Sequence, residues 1–188
     1  MNQKPPYKFI TQLPHCCCPA CLTMILNRRK IKHDSQEEIG NQLGLVVSPK
    51  NAHLFKNAIV KEDPEKEYGT QTHKEEYSIN KFFQKNNIKL KETYYPVETV
   101  NNPKEFIIDN LKNGNDIMVC INNRILYGEG HGHLSLIQSI NDDEITLVDP
   151  KINKPKIRIV KLTKLLESMR VEYHQKIKRG GFWIIAEF

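Results

Sequence analysis

The sequence predicts an α+β fold in which helices pack on an antiparallel sheet. Helical patterns fill the first part of the chain, and strand patterns fill most of the second. The 188 residues have a mean hydropathy of −0.55 and are 39% hydrophobic, which is typical of a globular domain and not of a disordered chain. We therefore expect one domain over residues 1–188, with a helical half at about 1–114 and a sheet half at about 115–188.

The first helix is predicted over residues 19–29, where apolar side chains repeat at helical spacing. Pro19 belongs in its first turn, because the missing proline N–H has no helical partner there in any case. The three consecutive cysteines at 16–18 are therefore expected at the helix N-terminus.

Capping and stop signals predict further helices. A helix over residues 36–43 follows the candidate caps Asp34 and Ser35, and it ends at Gly44. The remaining helices are predicted over residues 52–60, 75–87, 103–113 and 162–170.

Runs of apolar and alternating residues predict the strands, which we place at residues 88–95, 116–122, 133–140, 144–149, 156–160 and 181–188. Pro150 cannot donate to a sheet ladder, so Asp149 is expected at the end of its strand. A hairpin between the third and fourth of these strands would bring Asp149 near His133. A two-residue loop would point the two side chains to opposite faces, whereas a three-residue loop or a bulge would put both on one face.

The five cysteines are the unusual feature of the composition. Four are crowded together, at Cys16, Cys17, Cys18 and Cys21, and the fifth is Cys120. An odd number of cysteines, with neighbours this close, is a poor disulfide framework. We expect reduced thiols and hence a reducing compartment. A cysteine at a helix N-terminus is also a candidate nucleophile, because the helix dipole favours the thiolate.

The positive charge is uneven along the chain. Residues 151–180 contain ten Lys and Arg against two Glu, a net charge of +8, while the whole chain carries +6. This basic stretch predicts either an acidic partner or a solvated, Lys-rich face.

No apolar run is long enough to span a membrane, and residues 1–10 lack the apolar core of a secretion signal. The expected location is cytoplasmic, or outside the cell by a non-classical export route.

A zinc site is the competing chemistry, since Cys18 and Cys21 have knuckle spacing and His131 and His133 could complete four ligands. Pro19 and its neighbour make a poor zinc loop, so we expect neither a metal nor a cofactor.

The segment Gln-Leu-Pro-His-Cys-Cys-Cys-Pro-Ala-Cys-Leu-Thr-Met-Ile-Leu at 12–26 resembles the catalytic opening of papain-like bacterial cysteine peptidases of the C39 and C39-like group. Gly-His-Leu-Ser-Leu-Ile at 132–137, followed by Val-Asp-Pro at 148–150, is similar to their Gly-His strand and Asp-Pro motif. The order Gln, Cys, His, Asp is also that of the family. The resemblance implies a papain-like cysteine peptidase fold and thiol-dependent cleavage of a peptide or amide.

The resemblance also implies site residues, namely Cys17 as nucleophile, His133 as base, Asp149 as its orienting partner and Gln12 in the oxyanion hole. The family's glycine falls on Cys18, which is a departure and keeps Cys18 as the alternative nucleophile. His131 is the alternative base, because it shares the alternating face of the strand.

The implied function is a cysteine peptidase whose partner is a peptide or protein substrate. Two alternatives remain at this point. The same triad could serve amide hydrolysis, deamidation or acyl transfer on a protein side chain or a small molecule. The fold could also serve as a peptide- or protein-binding module that does not cleave.

Overall fold

Helices precede most of the sheet along the chain, which confirms the predicted α+β class. The computed structural model describes residues 1–62, 68–128, 130, 132–151, 156–170 and 180–188. The chain forms two compact units. The helical unit comprises Lys8–Leu90 and Pro150–Asn153, and the sheet unit comprises Met1–Tyr7, Lys91–Asp149 and Lys154–Phe188. The organisation of residues 1–188 as one domain stays a prediction.

The helical unit contains α1 (Cys17–Arg28), which begins slightly before the predicted residue. Pro19 lies in its first turn, as expected, and Cys16 is the N-cap residue. The three consecutive cysteines therefore lie at the helix N-terminus. Every residue from Cys18 to Leu26 is buried, as in a helix that is covered on all sides.

The helix α2 (Gln36–Gln42) is capped by Ser35, one of the two predicted candidates. The Ser35 side chain accepts a hydrogen bond from the Glu38 N–H, and the Glu38 carboxylate accepts one from the Ser35 N–H. This reciprocal pair satisfies two N–H groups that the helix itself leaves without acceptors. Gly44 follows the helix at φ +68°, a left-handed conformation that favours glycine.

The predicted helix over residues 52–60 is wrong. A 3-10 helix covers Pro49–Leu54, Phe55 is extended, a bend follows at 56–57, and Ile59–Val60 is a strand. The strand β1 (Val46–Val47) pairs in parallel with β2 (Ile59–Val60). Branching at Cβ favours extended backbone at these four positions, and the pairing with a distant segment overrides the weak local helical pattern.

The predicted helix over residues 75–87 is divided into two. A 3-10 helix at Glu75–Tyr77 is followed by α3 (Ile79–Lys85). Between them Ser78 is extended, at φ −65° and ψ 152°, and its hydroxyl accepts a hydrogen bond from the Lys81 N–H. Ser78 caps α3 and thereby interrupts the continuous helix that the apolar spacing predicts.

The sheet unit holds a six-stranded sheet. Its strands are β3 (Leu90–Pro96), β4 (Asp116–Asn122), β5 (Gly132–Asn141), β6 (Glu144–Val148), β7 (Ile157–Lys161) and β8 (Gly181–Glu187). They lie in the order β3-β8-β4-β5-β6-β7, and the pairings from β8 across to β7 are antiparallel. Each predicted strand is confirmed, with ends that differ by at most two residues.

Among the described residues, the sheet unit contains the α-helices α4 (Pro103–Lys112), α5 (Asn123–Tyr127) and α6 (Leu162–Arg170) and a 3-10 helix at Val97–Thr99. The sequence predicts α4 and α6 but not α5, which is too short for its apolar spacing to be recognised. Its cap is Asn122, whose side chain accepts a hydrogen bond from the Arg124 N–H. Among the described residues, no helix combines the length and the apolar character that crossing a membrane requires.

The core of the sheet unit lies on one face of the sheet, against α4 and α6. Alternate residues of β4 point to this face, where helix side chains cover them. The fully buried members are Ile107 of α4, Ile117, Val119 and Ile121 of β4, Ile137 of β5, Ile145 and Leu147 of β6, Leu165 of α6 and Phe182 of β8. The core thus fixes which side chains of each strand point inward.

Alanine substitutions at Gly44 and Gly114, two glycines with similar positive φ angles, allow backbone strain to be measured separately from steric clash. A Cβ on Gly44 would lie 2.7 Å from the ring of Tyr77, whereas a Cβ on Gly114, at φ +71°, would meet nothing within 4 Å. We expect Gly114→Ala to lower the free energy of unfolding by about 1–2 kcal/mol through backbone strain alone. Gly44→Ala should cost roughly 3 kcal/mol or more, because Tyr77 must also move. Urea denaturation followed by circular dichroism measures both, and equal losses would contradict this account.

Candidate active site

His133 and Asp149 are held together inside the sheet unit. His133 is near the start of β5 and its side chain is 6% exposed, while Asp149 directly follows β6 and is 0% exposed. The His133 Nε2 atom lies 2.7 Å from Asp149 Oδ1. This is a short hydrogen bond between an imidazole and a buried carboxylate. The structure therefore joins the residues that the sequence predicts as base and orienting acid.

A bulge brings the two side chains to one face of the sheet. The hairpin turns through two residues, since Asn141 pairs with Glu144, and that loop alone would point them to opposite faces. The register shifts between Ile137 and Ser139. Beyond the shift the ladder continues so that Asp149 comes level with the residue two positions from His133, on the same face. This is the irregularity that the sequence argument requires.

Gln138 is the extra residue of the bulge, and it is held by the N-terminal segment. Its side-chain oxygen accepts a hydrogen bond from the Tyr7 N–H at 3.0 Å, and its amide nitrogen donates to the Gln3 carbonyl at 3.0 Å. The Gln3 N–H in turn donates to the Gln138 carbonyl at 2.7 Å. The first residues of the chain therefore stabilise the register on which the pair depends.

The contact with Asp149 selects the tautomer of His133. A carboxylate at Nε2 favours a proton on that nitrogen, which leaves Nδ1 as the ring atom that exchanges a proton in a reaction. The carboxylate also stabilises the imidazolium that forms when Nδ1 takes up a proton. The arrangement is suited to general acid–base chemistry.

The other carboxylate oxygen of Asp149 is paired with Arg158 of β7, which the sequence analysis does not single out. The Arg158 Nε atom lies 3.0 Å from Asp149 Oδ2. The guanidinium lies over the ring of Tyr127 in α5, with its central carbon 3.8 Å from the ring centroid. Burial, together with the charge of Asp149, raises the pKa of Tyr127, so its phenol stays neutral.

Cys17 lies in the helical unit as the first residue of α1, and its thiol is partly exposed. Its neighbours Cys16, Cys18 and Cys21 are buried. Burial is the main cause that raises the pKa of Cys16 to about 12, and the nearby Cys17 and Glu37 contribute to the rise. A thiol with that pKa is almost entirely protonated at neutral pH. Exposure therefore favours Cys17 over both of its immediate neighbours as a reactive thiol.

Gln12 also lies in the helical unit, five residues before Cys17. Its N–H donates to the Pro150 carbonyl at 2.9 Å. Its side-chain oxygen is buried and has no hydrogen-bond partner among the described residues. A buried amide oxygen without a hydrogen-bond partner is unusual, and it is able to accept a hydrogen bond from a water or a ligand.

His15 anchors the loop between Gln12 and Cys17, although the sequence gives it no role. It adopts φ +64°, which is rare for a residue with a side chain. Its ring packs against Tyr68 at 4.8 Å between centroids, and its Nε2 lies 3.0 Å from the Asn51 amide nitrogen. Burial lowers the pKa of His15, so the imidazole is neutral and can accept that hydrogen bond.

Several predicted features fall outside the described residues. His131, the alternative base and zinc ligand, is one of them. Within the ranges that the structure describes, no group of three or more His, Cys, Asp or Glu side chains could hold a metal ion. The basic stretch at 151–180 is described only at 151, 156–170 and 180, so its acidic partner stays a prediction. One of its ten cations, Arg158, is directed at Asp149 and is 10% exposed.

The fold resembles that of solved peptidases. A proposed C39-like peptidase from Bacillus anthracis matches with a TM-score of 0.63 and 14% identity, covering 100% of this chain and 98% of that one. A double glycine motif protease from an AMS/PCAT transporter, solved in complex with the leader peptide, matches with a TM-score of 0.51 and 13% identity, covering 100% and 94%. No curated protein matches the sequence.

The sequence itself matches the model of the Peptidase_C39 like family over residues 4–177. This range contains Gln12, Cys17, His133 and Asp149 in the order that the resemblance of the motifs predicts. The matched range covers most of the chain, and the mixed helical and antiparallel fold agrees with that of the solved C39-like peptidases. The chain therefore belongs to the Peptidase_C39 like family, whose fold is that of a papain-like cysteine peptidase.

Proposed function

We propose that the protein is a cysteine peptidase in which Cys17 is the nucleophile, His133 the general acid and base, and Asp149 the orienting partner of His133. The observation that carries this proposal is the buried hydrogen bond of 2.7 Å between His133 and Asp149. In a histidine held in this way, one ring nitrogen is hydrogen-bonded to a carboxylate, and the other is the nitrogen that transfers a proton in the proposed reaction. Membership of a cysteine peptidase family supports the same reading.

In the proposed reaction the Cys17 thiolate attacks the carbonyl carbon of the peptide bond, and the carbonyl electrons move to oxygen. His133 Nδ1–H then protonates the leaving nitrogen as the C–N bond breaks. A thioester on Cys17 and a free amine result. Water attacks the thioester, His133 accepts its proton, and the acid product and the Cys17 thiolate are released. Throughout the cycle Asp149 keeps the same tautomer of His133 and stabilises its charged form.

The negative oxygen of the intermediate needs hydrogen-bond donors. The N–H of Cys17 lies in the first turn of α1, where the helix dipole favours negative charge. The side-chain N–H of Gln12, in the same unit as Cys17, is the proposed second donor. We propose a peptide or a segment of a protein as the substrate. The solved protease bound to a leader peptide makes this substrate class the first to test.

Cleavage is tested by incubating the full chain with a proteome-derived peptide pool and reading the products by mass spectrometry. We expect new peptide termini with the wild type and none with Cys17→Ala. Asp149→Ala should lower the rate on the order of 10²- to 10⁴-fold, because it removes the acceptor that fixes the tautomer and orientation of His133. Cys18→Ser is the matched control, since Cys18 is buried, and it should retain most of the activity.

The same experiment separates the alternatives. If Cys18→Ser abolishes cleavage and Cys17→Ala does not, the nucleophile is Cys18. Conversion of Gln or Asn side chains without chain cleavage would replace the peptidase by a deamidase. Retention of peptides without any change, equally in Cys17→Ala, would establish a binding module instead.

The thiolate is tested by alkylation with iodoacetamide at mildly acidic pH. We expect selective modification of Cys17, lost in His133→Ala, because the imidazolium is what stabilises the thiolate at that pH. Cys16 should remain unmodified even at neutral pH, since its pKa of about 12 leaves on the order of one thiolate in 100,000. Unfolding in urea should expose all five thiols. Equal labelling of all five in the native protein would refute the proposed nucleophile.

A further inference from the structure

We propose that Arg158 is a positioning residue for the His133–Asp149 pair and sets the affinity of that pair for its proton. This inference rests on the proposed role of the pair in catalysis. Arg158 lies on the edge strand β7, between Ile157 and Ile159, which are 51% and 64% exposed. The alternation of the strand directs Arg158 to the opposite face, where its side chain is 10% exposed and its Nε lies 3.0 Å from Asp149 Oδ2.

The first step of the argument is geometric. Asp149 lies beyond the last paired residue of β6, and Pro150 has no N–H with which to extend the ladder. Strand β7 holds this position instead. The Asp149 N–H donates to the Lys156 carbonyl at 2.9 Å, His133 is hydrogen-bonded to Asp149 Oδ1, and Arg158 forms an ion pair with Oδ2 that lacks hydrogen-bond geometry. These contacts on both oxygens restrain rotation of the carboxylate and thereby the orientation of the His133 ring.

The second step concerns why a guanidinium is buried here. Buried ion pairs are poor stabilisers, because the charges lose their hydration and need every donor satisfied to compensate. The Arg158 Nε and Nη2 atoms are buried, and neither has a hydrogen-bond partner among the described residues. The surroundings of Arg158 therefore interact with its positive charge more than with its N–H groups. The face of the Tyr127 ring, 3.8 Å from the guanidinium carbon, stabilises that charge.

The third step is electrostatic. Among the residues that the structure describes, the groups facing the pair from neighbouring elements include the Arg158 guanidinium of β7, the Tyr127 phenol of α5 and, beside His133, the apolar Ile121 of β4. The Tyr127 phenol is neutral and Ile121 is apolar, so the positive charge among these three groups comes from Arg158. When His133 is neutral, Asp149 carries a buried negative charge, and Arg158 compensates it. Without Arg158 that form is less favourable, so the pair binds its proton more tightly and its apparent pKa rises.

The test measures the protonation of the pair directly, without a substrate. Full-length Cys17→Ala protein with isotopically labelled histidine is titrated by NMR, alone and combined with Arg158→Met, Arg158→Lys or Lys161→Met. We expect Arg158→Met to raise the apparent pKa of the pair by roughly 1 or more. Arg158→Lys retains the charge and should move it less than half as far. Lys161→Met is the matched control, because it removes an exposed cation from the same strand and should change it little.

In the active protein, Arg158→Met should lower kcat roughly 10- to 100-fold through misplacement of His133, with KM nearly unchanged. The alkaline limb of its rate profile should move to higher pH, in line with the titration. A structural role alone would reduce stability and activity in Arg158→Met but leave the pKa of the pair where it is, and that result would overturn the inference. So would equal shifts in Arg158→Met and Lys161→Met.

Tyr127→Leu provides a second variant if Arg158→Met does not fold. It keeps the ion pair and removes the aromatic support, so the pKa should rise by a smaller amount, and an unchanged value would overturn the inference. The titration also distinguishes a failure of this inference from a failure of the proposed function, because it needs no substrate. If the wild type cleaves no peptide but the pKa still moves, the peptidase proposal fails and the role of Arg158 toward the pair stands.

Discussion

The buried carboxylate of Asp149 is the constraint on which the sheet unit depends. A charge with no exposure to water must be neutralised by its surroundings, and His133 and Arg158 reach it from different strands. His133 comes from β5, Arg158 from β7, and the backbone bond to Lys156 fixes the segment that leaves β6. The ends of three strands are thereby tied to one group, at the position where chemistry is proposed.

The bulge at Gln138 shows how a reactive arrangement can be obtained from a regular sheet. In a regular hairpin, the loop length alone decides whether the side chains at the two strand ends point to the same face of the sheet. Inserting one residue changes the face for everything beyond it, while the core residues Ile137 and Ile140 both remain inside. The hydrophobic core and the polar pair therefore require the same irregularity, and a register without it would satisfy neither.

The sequence predicts the strands of the six-stranded sheet, the helices α1, α2, α4 and α6, and the approach of Asp149 to His133, because these depend on local pattern and on turn residues. It offers a bulge or a three-residue loop but cannot choose between them or locate the bulge, since Gln138 is held by Gln3 and Tyr7 from the far end of the chain. The segment at 52–60 was mispredicted for a similar reason, because Ile59 pairs with distant Val46. Arg158 was counted in a basic stretch, and composition carries no information on which cation of such a stretch points inward.

The inward position of Arg158 has a consequence for strand pairing. β7 is an edge strand with exposed isoleucines, the kind of strand that slips or pairs with other chains. A slip of one residue would carry Arg158 into solvent and set Ile157 or Ile159 against a bare carboxylate. The ion pair thus specifies the register of β7, because a shifted alignment of that strand would leave the charge of Asp149 without Arg158.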